Sequence, residues 1–418
     1  MSKRQHRSKT LLTLFAFCVV TAVTMSAQTL TSLVKFNGAN GGQPESSLIQ
    51  ASDGNFYGTT TAGGTNSGGT IFRVTPAGKL TVVYSFCSLT DCNDGGMPGQ
   101  VLQARDGNAY GFTVTGGANC HQLVEIGCGT IFKLTPQKTL TTLYSFCVQT
   151  NCADGWNPDS LIQGTDGNFY GTTFHGGPNG VGEAFKLTPE GVLTVLYNFC
   201  SQLNGGNCTD GAQPENLMQA ADGNLYGTTL SGGSGNASCG IVFQLTTEGA
   251  LTVVHDFTAS EGCTSHSGLI QARDGNFYGT TQEGGAAHSR GTVYKLTTSG
   301  TLTRLHSFTC NQGSCPDGED PVAALLQGSD GNLYGTTRGV LGGVESIDGT
   351  IFKITTAGQL TTLHQFTYTD GAWPIAALIQ AAKGDFYGTT LLGGLAKCNS
   401  SCGTVFSFSV GLNPARKQ

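Results

Sequence analysis

LTSLVKF, residues 30–36, is a strand-like segment built on the pattern LTxLxxF, and the pattern returns six times downstream in close variants, from LTVVYSF at Leu80 to LTTLHQF at Leu360. Each later copy follows a short turn of Thr-Pro or Thr-Thr type, as in TPAGK before Leu80. The copy at Leu30 has nothing of the kind in front of it. An isolated piece of a repeat, placed first in the chain, asks which unit it completes.

The rest of the repeat answers. DGNFYGTT at Asp53 recurs as DGNAYGFT (Asp106), DGNFYGTT (Asp166), DGNLYGTT (Asp222), DGNFYGTT (Asp274), DGNLYGTT (Asp330) and KGDFYGTT (Lys383), at spacings of 52 to 60 residues. Four short strands fit one period. Strand a is LIQA-like: Leu48–Ala51, Val101–Ala104, Leu161–Gly164, Leu217–Ala220, Leu269–Ala272, Leu325–Gly328 and Leu378–Ala381. An Asp-Gly hairpin signal leads to strand b, which holds Tyr-Gly-Thr-Thr. Strand c is GTIFRV and its relatives, and a second turn leads to strand d, LTVVYSF and its relatives. The seventh unit stops at Val410 without a strand d. Leu30–Phe36 supplies it, and the prediction is an all-β, seven-bladed β-propeller over residues 28–410, with four antiparallel strands per blade and an eight-residue tail, 411–418. Closing the ring in this way leaves no sheet edge exposed at the join.

Composition agrees with short strands and tight turns: 63 glycines and only 11% charged residues. Lys3, Arg4, Arg7 and Lys9 precede the apolar run LLTLFAFCVVTAVTM, which is short for a bilayer span, and Ser26-Ala27 offers small residues for cleavage before Gln28. Residues 1–27 therefore read as a signal peptide, and Phe17 before Cys18 argues against a lipoprotein. No second long apolar run and no C-terminal anchor pattern follows, so the expectation is an exported, periplasmic or extracellular monomer with no span in the mature chain. Loss of the leader's four basic residues moves the formal charge from −6 to −10, which speaks against a nucleic-acid partner. It also lowers the cysteine count from 15 to an even 14, favouring disulfides.

The unit LIQASDGNFYGTTxxGG…GTIFKLTPxGxLTxLYSF resembles the GloVer tandem repeat of the "choice-of-anchor" exported bacterial proteins, over nearly all of the mature chain. The resemblance implies a β-propeller-like secreted or surface protein without an established activity. The DGN-aromatic turn is more distantly similar to sensor propellers and streptogramin lyases.

In an up-and-down blade the a–b and c–d turns share one face, which here is short and monotonous. The b–c and d–a loops share the other, where length and composition vary, and function is expected there. Cys87/Cys92, Cys147/Cys152, Cys200/Cys208 and Cys310/Cys315 fall in d–a loops, and Cys120/Cys128 and Cys398/Cys402 in b–c loops. Cys239 and Cys263 remain, on the same face, and are natural partners. The pairs are expected to stiffen loops rather than hold the ring. No CxxC…CxxC or CxxC…HxxxH spacing supports zinc.

This face also collects most carboxylates, among them Asp94, Glu125, Asp154, Asp210, Glu319 and Asp370, either as solvated loop charge or as a site for cations, basic peptides or sugars. The DGxxP segments before strand a read as Asx turns pinned by proline; calcium is an alternative there, without a DxDxDG loop, and no other cofactor is indicated. A Gln in every strand a (Gln50 to Gln380) reads as a ring of inter-blade hydrogen bonds, with a channel-lining ligand site as the alternative, and His255, His306 and His364 as packing residues in the place of Tyr84, Tyr144 and Tyr197. The candidate ligand patch is Trp156 with His175 and Glu183 across the blade-three hairpin, together with Glu283 and Trp373 on the same face. No catalytic or metal-ligating set emerges. The resulting expectation is a non-catalytic recognition or scaffold module for an extracellular carbohydrate or peptide, with a polymer-cleaving lyase or glycoside hydrolase, or a structural adhesion protein, as alternatives.

Overall fold

In the computed structural model the described residues are 28–118, 128–235, 238–286, 289–310, 315–339, 348–394 and 402–410. They form seven four-stranded antiparallel sheets arranged as the blades of a propeller. Blade three shows the plan: Trp156–Gln163, Phe169–His175, Glu183–Leu187 and Leu193–Asn198 run from inner to outer edge. Blade seven takes Ile379–Gln380, Phe386–Thr390 and Thr404–Ser409 from the C-terminal end and Thr29–Lys35 from the N-terminal end. The expected clasp is present, with Leu30 opposite Phe408 and Lys35 opposite Thr404.

The core lies between blades. At every seam the closing Phe of strand d meets an aromatic ring of the next blade's strand c, with centroids 5.1–5.4 Å apart: Phe86–Phe132, Phe146–Phe185, Phe199–Phe243, Phe257–Tyr294, Phe308–Phe352 and Phe366–Phe406. The seventh pair is Phe36–Phe72 at 5.1 Å, so the first strand contributes its ring to the last seam. Phe36 is fully buried.

Hydrogen bonds cross the same seams. Six of the repeat glutamines accept a main-chain N–H from the preceding blade, as when Thr165 donates to Gln219 Oε1 at 2.8 Å. The amide of the repeat glutamine also donates to its own hairpin turn, Gln219 Nε2 to Gly223 O at 2.8 Å. Nearer the variable face, the residue two places before the channel-lining position of each blade has φ between 50° and 61° (Gln43, Met97, Asn157, Gln213, Thr264, Asp320, Trp373). A non-glycine residue in the left-handed region costs about 1 kcal/mol, and proline next in line disfavours α conformations further. All seven donate their main-chain N–H across a seam to a b–c loop carbonyl at 2.8–3.3 Å, including Gln43 to Cys402 at the closing join. Gly403 illustrates how tight this level is: a Cβ there would lie 2.2 Å from Thr390 O and 2.6 Å from Pro44 Cδ.

The inner strand differs from its expected bounds. In blades two, three and four it is eight residues long and starts upstream, at Gly96, Trp156 and Ala212; in the other four it is reduced to two residues, such as Ile49–Gln50. Blades two to four have one residue fewer between the proline and the repeat glutamine (Pro98 to Gln103, against Pro44 to Gln50). They take up the mismatch as a bulge, whereas one more residue puts the upstream stretch out of phase and ends the ladder. Only isolated bridges survive there, Gly42↔Ala62, Cys263↔Glu283 and Ala372↔Leu392.

Five disulfides join described residues: Cys87–Cys92, Cys147–Cys152, Cys200–Cys208, Cys239–Cys263 and Cys310–Cys315. Cys128 and Cys402 are also disulfide-bonded, while their expected partners Cys120 and Cys398 lie outside the described residues. One expectation changes. Cys239–Cys263 runs from the b–c loop of blade four to the segment entering blade five, so it staples a seam rather than stiffening a loop. Blade five is also the blade with Ser265 where the others have proline. Replacing both cysteines by serine is expected to cost about 2–3 kcal/mol, because the bond closes a longer loop than the five-residue separation of Cys87–Cys92. Calorimetry of the two double variants checks this; equal losses would remove the seam role.

A candidate binding site at the channel mouth

The position after the proline (after Ser265 in blade five) turns inward at the variable face. Four of these seven residues are polar, Glu45, Asp159, Glu215 and His266, and three are not: Gly99, Val322 and Ile375. All seven line two overlapping cavities at the centre of the ring, of about 430 and 250 Å³. Arg338 and Trp373 complete the wider one.

His266 Nδ1 lies 2.9 Å from Glu215 Oε1, joining blades five and four. Asn216 donates its main-chain N–H to Asp159 Oδ2 at 3.2 Å and its amide to His266 O at 3.1 Å, which ties in blade three. Arg338 donates Nη2 to Asp320 at 2.8 Å and its guanidinium lies 5.6 Å from the Trp373 ring centroid. Its Nε and the Trp373 indole Nε1 are buried without a hydrogen-bond partner. Burial, then the charge of Glu215, pushes the Asp159 carboxyl up to about 7, against the opposing pull of Asn216 and His266. Burial raises Glu45 as well. Burial alone would depress His266, but the hydrogen bond and charge of Glu215, with Asp159 behind it, raise it. The mouth is thus a set of acceptors with one aromatic wall and a guanidinium, assembled from every blade.

The residues singled out in the sequence are distributed differently. Trp156 and His175 do meet: they pair across the a–b ladder and their rings stack at 4.4 Å and 26°. Phe174 meets the His175 ring edge-on at 4.7 Å, and burial lowers the His175 pKa. Most of this aromatic surface is occupied by itself. Glu183 is no surface carboxylate; it faces Thr173 and Asn198 in the ladder and is only 1% exposed. Glu283 is exposed on blade five, where its main chain bridges to Cys263. Trp373 alone reaches the channel.

The loop carboxylates also serve otherwise than expected. Asp94, Asp154 and Asp210 are buried and accept the hydroxyl protons of Tyr84, Tyr144 and Tyr197 together with two loop N–H groups each. Where strand d has histidine the bond persists, His306–Asp317 at 2.7 Å, His364–Asp370 at 3.1 Å and His255–Glu261 at 3.3 Å. These histidines are hydrogen-bonding substitutes for tyrosine, not packing residues alone. Oxygens already engaged by N–H and O–H donors are poorly placed for calcium. Glu125 lies outside the described residues. The signal for the true channel residues was the variability of the position after the proline within an otherwise monotonous repeat.

A model of the Gloeobacter/Verrucomicrobia repeat matches residues 18–124, 120–319 and 311–415. The chain belongs to this family. Among solved structures, a Gloeobacter/Verrucomicrobia repeat ring of this kind is similar to the extracellular domain of a hybrid two component system from B. thetaiotaomicron, at 12% identity and a TM-score of 0.56; the alignment covers 93% of this chain and 42% of that one. It is also similar to the WD40 β-propeller domain of Doa1, at 11% identity, a TM-score of 0.54 and coverage of 91% and 97%. The PQQ-bound aldose sugar dehydrogenase of Streptomyces coelicolor aligns at a TM-score of 0.43 with 11% identity, covering 91% of this chain and 98% of that one, a likeness too faint to reason from. The first two likenesses show the propeller fold of the repeat. No curated protein matches the chain. Among the described residues no helix is long and apolar enough to cross a membrane.

Proposed function

We propose that the protein is an exported recognition module that holds a hydroxyl- or amine-bearing ligand, a sugar or a peptide terminus, at the mouth of its central channel without transforming it. The observation that carries this reading is the convergence of Glu45, Asp159, Glu215 and His266 from four blades on one cavity. Three carboxyl groups accept hydrogen bonds, and the Trp373 face suits the apolar side of a pyranose or side chain. The basic and apolar leader and the disulfides support export.

The test is calorimetric titration with chitosan oligosaccharides and with short peptides bearing a free N-terminus. An amine-bearing ligand is expected to bind severalfold more tightly at pH 7.5 than at pH 6, because burial and Glu215 hold the Asp159 carboxyl up to about 7 and it gains its charge over that interval while most of the ligand amine keeps its own. Asp159→Asn should flatten that dependence. Binding without pH dependence, or retained in the double variant Asp159→Asn/Glu215→Gln, would remove the channel mouth as the site. Turnover of a bound polysaccharide would replace recognition by the lyase or hydrolase reading.

A further inference from the structure

The opposite face, with its short turns, carries a second anomaly. In six blades the repeat tyrosine of strand b is buried: Tyr110, Tyr170, Tyr226, Tyr278, Tyr334 and Tyr387 are at most 8% exposed. Each is covered by the first side chain of strand b in the following blade. Phe169 lies 4.3 Å from Tyr110, Phe277 4.5 Å from Tyr226, Phe386 4.3 Å from Tyr334 and Phe56 4.0 Å from Tyr387, while Leu225 and Leu333 cover Tyr170 and Tyr278. Tyr57 is the exception and is half-buried. The residue that should cover it is Ala109, in DGNAYGFT.

The missing ring leaves a cavity of about 310 Å³ between blades one and two. Ile49, Val83, Leu134 and Ala109 form its apolar lining, the Tyr57 ring stands in it, and Arg73 and Lys138 reach it. The volume is at the lower end of small-ligand pockets, and apolar cavities of about 150 Å³ already accept benzene. Arg73 is a second departure. The equivalent Lys133, Lys186 and Lys295 pair with the turn aspartates and lie over the tyrosine rings. Arg73 sits beside Asp53 and the Tyr57 hydroxyl and keeps a buried Nε without a hydrogen-bond partner. The Asp53 oxygens are engaged by Asn55 and Tyr57, so the remaining donors of Arg73 and the Lys138 ammonium give this rim its character.

We propose that the gap left by Ala109 is a binding site for a small aromatic acid, whose ring takes the place of the absent phenyl against Tyr57 and whose carboxylate meets Arg73 and Lys138. A planar ring matches the slot because four of the other six seams fill it with one, and a bidentate carboxylate matches a guanidinium with unused donors. This site lies away from the channel mouth and does not depend on what that mouth binds.

Phenylacetate, titrated by calorimetry and ligand-observed NMR, is the probe, with benzyl alcohol as its uncharged counterpart. Saturable binding of phenylacetate, at least tenfold tighter than benzyl alcohol, is expected. Ala109→Phe restores the repeat residue and should abolish binding while raising the melting temperature; Ala109→Leu, the residue used in blades four and six, serves the same end should the phenyl ring not be accommodated. Arg73→Gln should keep ring binding and erase the preference for the acid. No saturable binding up to millimolar phenylacetate, undiminished binding in both Ala109 variants, or equal affinity for the alcohol would each overturn the assignment.

Discussion

Deletion of residues 28–36 is expected to abolish the single cooperative melting transition and to produce aggregation or early, broad unfolding. The deleted segment supplies the whole outer strand of blade seven, paired from Thr29↔Ser409 to Lys35↔Thr404. It also buries Val34 and Phe36, and Phe36 is one half of the aromatic pair at the closing seam. Burying a phenylalanine contributes about 2–3 kcal/mol by area alone, and truncating one in a core costs about 3–5 kcal/mol. The larger loss is topological. Without the strand, Thr404–Ser409 becomes an exposed edge, and blades one and seven lose the Phe36 contact between them. Calorimetry with light scattering measures both consequences. An unchanged melting profile would show that the ring closes without its clasp.

Glu183→Thr is expected to stabilise the protein, increasingly so at alkaline pH. In five blades the equivalent positions hold a buried Thr–Thr pair, for example Thr60–Thr70 at 2.8 Å and Thr281–Thr292 at 2.9 Å. Blade three sets Glu183 against Thr173, and both carboxyl oxygens are buried without a hydrogen-bond partner. The neighbouring Asn198 Oδ1 is also without one. In four blades the strand d side chain at that position receives an N–H from the residue after the Gly-Gly pair, as from Thr65 to Ser85; blade three has Pro178 there, which has no N–H to give. Burial, with the nearby charge of Asp154, raises the Glu183 carboxyl to about 8 from its ordinary 4.5. A carboxyl with a raised folded pKa stays neutral at low pH, and the native state loses stability as pH climbs from the unfolded value through the folded one. The wild-type protein should therefore weaken between about pH 4.5 and 8, by an amount on the order of 3–5 kcal/mol once the group is ionised. Glu183→Thr should be nearly flat over that range, and Glu183→Gln should lose the pH dependence while keeping an unsatisfied polar group. Parallel pH–melting profiles of the three proteins would refute this assignment if they ran together.

The architecture was readable because its carriers repeat. The DGN turn, the Gly before strand c and the closing Phe of strand d each recur with a local physical role, so the ring and its clasp follow from counting units. The length of strand a was not, because it turns on a single residue between Pro44 and Gln50 that changes ladder phase without altering hydropathy. The channel mouth was harder still. Glu45, Asp159, Glu215 and His266 are far apart in the chain and meet only because seven equivalent positions point to one axis. Glu183 misled for the opposite reason: a charged residue in a hairpin reads as surface, yet the slot it occupies is one that five of the other blades fill with buried threonine and blade four with Ile241. Ala109 carried a signal that only the neighbouring blade's Tyr57 makes audible.

The left-handed residues ahead of the channel positions, Gln43 through Trp373, have a consequence for how such a protein diversifies. The bonds they make across the seams use main-chain N–H and carbonyl groups, which are the same whatever side chain is attached. The seam bond is therefore the same whatever side chain looks down the axis, and among the described residues only Glu215 and His266 of the seven also pair with each other across a seam. Each blade contributes one character to a seven-character word, here Glu, Gly, Asp, Glu, His, Val and Ile, with the fourth and fifth read as a pair. A new ligand preference can be spelled one blade at a time, with the ring that displays it left intact.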